Sequence, residues 1–116
     1  QAGYKVGVLD LDEARVREVA SKTAGAVPLV ASVTDEASVE AALDAFGAIP
    51  DLVLNNAGIV RFGYLLDQSL EDFRRVLDVD LVGIFVVARA CARRDLTTRC
   101  SARKARARRA RAVCAG

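Results

Sequence analysis

The sequence contains no histidine, methionine or tryptophan, only two prolines, and no long uninterrupted apolar run. The absence of histidine excludes zinc fingers with His ligands and nucleophiles activated by a histidine base. A membrane helix needs about 20 apolar residues in succession, so we predict none. The three cysteines, Cys91, Cys100 and Cys114, show no C-x-x-C spacing. We therefore expect reduced thiols, a cytoplasmic protein and no metal site.

Apolar residues are plentiful although aromatic ones are few. They make up 53% of the 116 residues, against 5% aromatics, and most are Ala, Val and Leu. A chain of this length can bury a real core as one domain. Val- and Leu-rich strands covered by Ala-rich helices are typical of layered α/β packing. The composition therefore favours an α/β domain.

Charge divides the chain into two parts. Up to Ala88 there are 7 basic and 14 acidic residues, whereas from Arg89 onward there are 10 basic residues and one acidic residue, Asp95. Residues 101–112 form a low-complexity tract of mainly Ala and Arg without an apolar stripe. We predict a domain over residues 1–92 and a basic tail over residues 93–116, the tail being either disordered or helical.

Short apolar runs alternate with amphipathic stretches in the first half of the chain. Val39, Ala42, Leu43 and Phe46 fall at i, i+3, i+4 and i+7, which predicts a helix that Gly47 ends. The alternation favours a parallel sheet with helical crossovers. The predicted strands cover residues 5–9, 27–31 and 52–54. One predicted helix covers residues 13–24, with Gly25 as C-cap, and the other follows the cap candidates Thr34 and Asp35 and ends before Gly47.

The third predicted strand runs directly into Asn55, Asn56, Ala57 and Gly58. Asn side chains hydrogen-bond to backbone, while Ala and Gly keep the chain thin where it leaves the sheet. Ligands of open parallel sheets bind outside the carboxyl ends of the strands. This segment, which we call the amide loop, is therefore either a wall of a cofactor site or an ordinary turn.

A long helix is predicted after Ser69, which with Asp72 resembles a capping box. Its apolar face extends from Phe73 to Cys91, and Asp80 falls in the middle of that face. A carboxylate on a buried stripe is costly unless it is paired, so Asp80 marks a functional position or else reaches solvent at the edge of the stripe.

Four segments share their order and spacing with one known family. They are Val8-Leu9-Asp10, Ser32-Val33-Thr34-Asp35, Leu54-Asn55-Asn56-Ala57-Gly58 and Asp78-Val79-Asp80-Leu81-Val82-Gly83-Ile84-Phe85. With these segments, residues 1–92 resemble the short-chain dehydrogenase/reductase family. The resemblance implies a Rossmann-like, doubly wound parallel sheet in three layers, present here without its first strand and its C-terminal half.

The resemblance also implies roles for individual residues. Asp10, followed by Leu11, would accept hydrogen bonds from the adenosine ribose and favour NAD(H) over NADP(H). Val33 would bracket the adenine and Ser32 would bond its edge. The residues that would line the cofactor beside its ribose and nicotinamide half belong to the amide loop: Asn55, Asn56, Ala57 and Gly58. Asp80 stands where the family has an Asn that holds a water in a proton relay.

Two parts of the family pattern are absent from the sequence. No Gly-rich phosphate loop precedes the first predicted strand, and the resemblance implies that about 25 upstream residues are missing. Neither Tyr4 nor Tyr64 is followed by Lys four residues later, so the Tyr-x-x-x-Lys pair and its Ser are absent. An out-of-frame reading of a GC-rich gene would produce the Arg-rich tract that stands in their place.

Three functions follow, from different classes. The resemblance implies an NAD-dependent oxidoreductase that moves hydride between the cofactor and a small alcohol or ketone, homo-oligomeric when intact, with this chain inactive alone. The first alternative is a non-catalytic Rossmann-like binding or regulatory protein. The second is nucleic-acid binding by the Arg-rich tail, which the acidic body and the lack of aromatic residues for base stacking oppose.

Overall fold

A computed structural model describes residues 3–113, with side chains described for residues 3–101. The elements, in chain order, are β1 (Gly7–Asp10), α1 (Glu13–Ser21), β2 (Val27–Val30), α2 (Glu36–Phe46), a 3₁₀ turn (Leu65–Asp67), α3 (Leu70–Leu77), a π-helical turn (Asp78–Val82) and α4 (Gly83–Val113). Cys114, in the predicted tail, lies outside the described residues. The prediction of alternating strands and helices is confirmed over the first half of the chain.

β1 and β2 form a two-stranded parallel sheet in which Gly7 pairs with Val27 and Asp10 with Val30. The ladder continues beyond the strands, since Val27 N–H donates to Val6 O at 2.8 Å and Ala31 N–H donates to Asp10 O at 3.0 Å. β1 was predicted to be buried, and this is wrong. Its two central residues are half-buried and its end residues are exposed.

The third predicted strand, Leu52–Leu54, is not a strand in the structure. Leu52 and Leu54 are 68% and 82% exposed. In a doubly wound sheet of order 3-2-1-4, strands 2 and 3 pair with each other and strand 4 lies on the far side of strand 1. Here β1 and β2 take the places of strands 2 and 3, and Leu52–Leu54 takes the place of strand 4. β1 and β2 pair in that way, so no described strand lies beside Leu52–Leu54 and its backbone has no ladder to join.

α2 forms the centre of the core because it packs on both of its sides. Towards the sheet, Ala42 and Phe46 contact Leu29 of β2 and Ala31, the residue after the strand. On its other side, Val39 and Leu43 of α2 pack against Val86, Ala90 and Cys91 of α4. Gly7 permits this packing, since a Cβ there would lie 2.9 Å from Leu29 Cδ1.

The helix ends follow from capping. Asp35 caps α2 by accepting from Ala37 N–H at 3.0 Å, and Gly47 ends α2 with a φ of 67°. Ser69 Oγ caps α3 by accepting from Asp72 N–H at 3.0 Å, as predicted. The prediction for α1 was too long, because α1 ends at Ser21 with Lys22 as its C-cap, and Gly25 serves the turn that follows.

The predicted long helix differs from the structure in two respects. A π-helical turn over Asp78–Val82 separates α3 from α4, and α4 then continues through position 93, where the composition changes, to Val113. The predicted apolar face is wrong for most of its length, since Cys91 is its one buried member and Phe73, Leu81 and Phe85 are 56–63% exposed. The other buried apolar side chains of α4 in the described residues, Val86 and Ala90, were not predicted to lie on that face. The first half of the stripe has no described element to pack against. No helix in the described part of the chain combines the length and apolarity that a membrane span requires.

Candidate functional site

The carboxyl end of β1 presents an exposed carboxylate. Asp10 Oδ1 accepts from Asp12 N–H at 3.1 Å, and Asp12 in turn caps α1 by accepting from Arg15 N–H at 3.1 Å. A carboxylate has about four acceptor positions, so one N–H leaves capacity for ligand hydroxyls. Leu11 follows it and is 71% exposed.

The carboxyl end of β2 is held by short polar contacts. Ser32 N–H donates to Ser38 Oγ at 3.1 Å, and the hydroxyls of Ser32 and Thr34 lie 2.9 Å apart. Asp35 N–H then donates to Ser32 O at 3.2 Å, where α2 begins. Because β1 and β2 are adjacent and parallel, Asp10 and Ser32 emerge at the same edge of the sheet. Val33, between these contacts, is half-buried.

The amide loop has no regular secondary structure, and Asn55, Asn56, Ala57 and Gly58 are all exposed. Its position is set from the helix by Asp80, whose Oδ1 accepts from Ile59 N–H at 2.8 Å. Gly58 lies against the same carboxylate, since a Cβ on it would be 3.4 Å from Asp80 Oδ1. The loop that follows the third apolar run is therefore anchored to the π-helical turn.

Asp80 is half-buried at the middle of the π-helical turn. Such turns are rare and occur frequently at functional sites. The carboxylate accepts a backbone N–H, which explains how an acid is tolerated on this stripe. An ionised carboxylate cannot donate a hydrogen bond, as the amide at this position of the family pattern could.

The start of α4, directly after this turn, contacts the loop after β2. Gly83, the first residue of α4, lies so close to Val33 that a Cβ on it would be 2.7 Å from Val33 Cγ2. Asp80 and Gly83 thus connect the loop at Val33 with the amide loop at Gly58. The sequence prediction missed Gly83 and Ile59. Gly83 carried a signal, because glycine is disfavoured inside a helix.

The other candidates do not form a catalytic centre in the described residues. Tyr4 and Tyr64 are 69% and 85% exposed. An open groove of about 460 Å³ lies between the C-terminal end of α2 and the middle of α4, and none of the predicted site residues lines it. Among the described residues, no three His, Cys, Asp or Glu side chains cluster as metal ligands would.

The family described as enoyl-(acyl carrier protein) reductase matches residues 1–105. Among curated proteins, the probable oxidoreductase EphD of Mycobacterium tuberculosis is 39% identical over 99 residues, which are 79% of this chain and 17% of EphD. The inactive 2-(S)-hydroxypropyl-CoM dehydrogenase 2 of Xanthobacter autotrophicus is 37% identical over 95 residues, which are 78% of this chain and 41% of that protein.

Solved structures agree in fold with this chain. A 3-oxoacyl-[acyl-carrier protein] reductase from Brucella melitensis with bound NAD aligns with a TM-score of 0.71 and 34% identity, over 75% of this chain and 37% of that one. A gluconate 5-dehydrogenase from Burkholderia cenocepacia in complex with NADP and tartrate aligns at 0.67 and 31%, over 80% and 39%.

The chain spans well under half the length of each of these proteins. Its fold is the Rossmann-like α/β fold of the two solved structures, which confirms the predicted fold class. The family match extends beyond residue 92, where the resemblance was expected to end. These matches establish that the chain belongs to the short-chain dehydrogenase/reductase family of oxidoreductases.

Proposed function

We propose that the protein is an NAD(H)-dependent oxidoreductase that moves hydride between the nicotinamide ring and a small alcohol or ketone. Within it, this chain carries the adenosine side of the cofactor site and one wall beside the nicotinamide. The observation that supports this most is Asp10, an exposed carboxylate at the carboxyl end of β1 that keeps acceptor capacity. Ribose hydroxyls are donors that such a carboxylate binds well.

The preference for NAD(H) rests on this chain's own charge, since one similar structure holds NAD and another holds NADP. A 2′-phosphate would lie close to the Asp10 carboxylate and be repelled by it. The basic residues nearest to Asp10 in the sequence, Lys5 and Arg15, are each five positions away, and Lys5 Nζ already donates to Phe46 O. We therefore expect weaker binding of the phosphorylated cofactor.

The chain's residues fit part of the cofactor. Asp10 and Leu11 would hold the ribose, Ser32 and Val33 the adenine, and the amide loop the other ribose and the nicotinamide. When bound, the cofactor supplies or takes up the hydride. Asp80 contributes by holding the amide loop through Ile59 N–H at 2.8 Å, which orients the wall without a direct role in the hydride step.

We further propose that this chain does not turn over substrate by itself. Reduction of a ketone requires a general acid within hydrogen-bond reach of the substrate oxygen. The sequence contains neither the Tyr-x-x-x-Lys pair that would supply the proton nor a Gly-x-Gly-x-x-Gly loop for the pyrophosphate. Robust NAD-dependent turnover of a panel of alcohols and ketones by this chain would contradict the proposal.

Binding experiments test the cofactor site separately from turnover. We expect the full chain to bind NAD⁺ and AMP in titrations, and to bind NADP⁺ at least about tenfold more weakly because of the charge repulsion. Asp10→Asn should weaken NAD⁺ binding by about tenfold, the value of one charged hydrogen bond, and narrow the difference from NADP⁺. Glu71→Gln, at an exposed acid in the first turn of α3, is the matched control and should change neither. Equal affinity for the two cofactors would refute the role of Asp10.

A non-catalytic binding protein is the second candidate, and the similarity to a dehydrogenase named as inactive favours it. The two candidates differ in the full gene product. NAD binding without turnover in that product would support the non-catalytic function, whereas hydride transfer would support the oxidoreductase.

The proposal also covers the cell compartment, the oligomeric state and the domain boundary of the protein. Cys91 and Cys100 are free thiols, which agrees with a cytoplasmic protein. The exposed apolar side chains Phe73, Leu81 and Phe85 would fit a homo-oligomer contact in the intact protein. Cys91 is the last buried residue of α4 among the described side chains, which supports a cofactor-binding part over residues 1–92 followed by a basic tail.

A further inference from the structure

Gly83 has no space around its Cα for a side chain. A Cβ at this position would lie 2.7 Å from Val33 Cγ2 and 3.2 Å from Val33 Cβ. Real Cβ contacts are essentially never shorter than 3.0 Å, so any side chain at position 83 would displace Val33. Glycine costs stability at a helical position, and this close approach gives a physical reason for its presence.

Val33 cannot retreat freely from such a contact. The residue before it is fixed by the bond from Ser32 N–H to Ser38 Oγ at 3.1 Å. Two residues on, Asp35 N–H donates to Ser32 O at 3.2 Å, and Asp35 caps α2. The backbone around Val33 is therefore held on both sides, so a clash with a side chain at position 83 would act mainly on the Val33 side chain.

We propose that Gly83 is a positioning residue for the adenine side of the cofactor site, because it sets how far the Val33 side chain projects from the edge of the sheet. This inference rests on the proposed function, in which Val33 brackets the adenine ring. A side chain at position 83 would push Val33 into the space that the adenine would occupy. The amide loop is attached to the same helical turn through Asp80, three residues earlier, and would not be displaced.

The predicted effect is therefore confined to one half of the cofactor. Gly83→Ala should weaken binding of AMP by about tenfold, the cost of moderate overpacking, and change binding of nicotinamide mononucleotide by less than about twofold. Both ligands would be titrated into the full chain by ligand-observed NMR. A general loss of structure would instead weaken both ligands together, and it would also lower the helical circular dichroism.

A second glycine provides a matched control. A Cβ at Gly63 would lie 2.7 Å from Gln68 Nε2, the far end of a flexible side chain, so Gly63→Ala introduces a contact of the same length that can relax. We expect it to leave AMP binding unchanged.

A double-mutant cycle identifies Val33 as the partner. In a Val33→Ala background the colliding Cγ2 is gone, so adding Gly83→Ala should alter AMP affinity by less than about twofold. A tenfold loss in that background would overturn the assignment to Val33. If the wild-type chain binds AMP and the Gly83→Ala variant binds it equally well, the positioning role is refuted and the proposed adenine site is not. No AMP binding by wild type would refute the proposed adenine site and the positioning role with it.

Discussion

Two apolar runs of similar composition adopt different structures in this chain. Val27–Val30 pairs with β1 in register and places Leu29 in the core at 5% exposure. Leu52–Leu54 remains an irregular segment with Leu54 82% exposed. Both runs were predicted as strands. The difference lies outside the runs, in whether a neighbouring strand is present.

A strand is defined by its hydrogen-bonding partner, whereas a helix satisfies its own backbone. α2 forms from its local pattern and caps, since each N–H in its interior finds an acceptor four residues earlier. Leu52–Leu54 has the same local quality but depends on a distant segment. Apolar periodicity therefore predicts helices more securely than strands when part of a sheet lies outside the chain.

The largest expected effect tests this contrast with one substitution at two sites. Leu29→Ala should lower the free energy of unfolding by about 2–5 kcal/mol, because it opens a cavity beside Phe46. Leu54→Ala should change it by no more than about 0.5 kcal/mol, since the side chain is exposed. Urea unfolding followed by circular dichroism measures both. Leu29→Val keeps the comparison measurable if the Ala variant does not fold.

An equal loss for Leu54→Ala would break the comparison. It would mean that residues 52–54 pack against another part of the chain in solution.

The next effect concerns what holds the unpaired segment in place. Asp80→Ala removes the acceptor of Ile59 N–H and should cost about 1 kcal/mol, since the group can partly recover water. Amide exchange at Ile59 should accelerate by about fivefold to tenfold, which is the same loss expressed as protection. Asp80→Asn keeps an acceptor oxygen and should behave nearly as wild type. Unchanged Ile59 exchange in the Ala variant would show that the loop is held in another way.

A smaller effect is expected from the ion pairs that join α4 to α2. Arg94 Nη2 lies 2.6 Å from Glu40 Oε2, and Nη1 lies 2.8 Å from Asp44 Oδ1. These hydrogen bonds, first that to Glu40 and then that to Asp44, raise the pKa of Arg94, so it stays charged at any working pH. Arg94→Ala should cost up to about 1 kcal/mol, and less in 1 M salt.

Arg99→Ala is the control for that measurement. Arg99 pairs with Asp95 within α4 alone, and its side chain is 78% exposed. Because this i, i+4 pair is exposed to solvent, we expect Arg99→Ala to cost clearly less stability than Arg94→Ala. If the two Arg variants lose the same stability, the contact between α2 and α4 does not depend on the Arg94 fork.

The smallest effect is a difference between two thiols of α4. Burial raises the pKa of the Cys91 thiol, with Arg94 opposing and Glu40 reinforcing the shift, while Cys100 is exposed. Iodoacetamide at pH 8 should therefore modify Cys100 at least about tenfold faster than Cys91, as read by peptide mapping. Similar rates would indicate that α4 separates from α2 at residue 91.

The raised pKa of Cys91 also predicts how the free energy of unfolding depends on pH. Because the folded-state pKa of Cys91 is above the unfolded value, its contribution to stability is complete below about pH 8.5 and is lost as the pH rises through the folded pKa. Cys91→Ala should remove that slope from a plot of unfolding free energy against pH.

Much of the fold could be predicted from the sequence. The α2 pattern of Val39, Leu43 and Phe46 carries its own geometry, and Asp35 and Ser69 mark helix starts by local chemistry. What could not be predicted depends on long-range pairing. The missing partner of Leu52–Leu54 and the π-helical turn at Asp78–Val82 are set by neighbours that no local pattern reveals.

The candidate site divides in the same way. The residue types at Asp10, Ser32 and Asn55–Gly58 could be recognised from a motif, and their binding roles remain predictions. The contact between Gly83 and Val33 joins residues 50 positions apart, and the bond from Ile59 N–H to Asp80 crosses 21 positions. Spacing along a sequence does not show which distant residues are in contact. Only the three-dimensional structure shows that the two loops contact the same part of the helix.

The two-stranded sheet has a consequence for how the protein behaves when concentrated. Each strand of a two-stranded ladder leaves one edge of N–H and C=O groups unpaired, and an open edge of that kind accepts a strand from another molecule. β1 is short and ends in the charged Asp10, which limits this pairing without preventing it. We expect losses through chain-to-chain strand addition to grow with protein concentration, so the solubility of this chain is governed by its sheet edges as much as by its net charge.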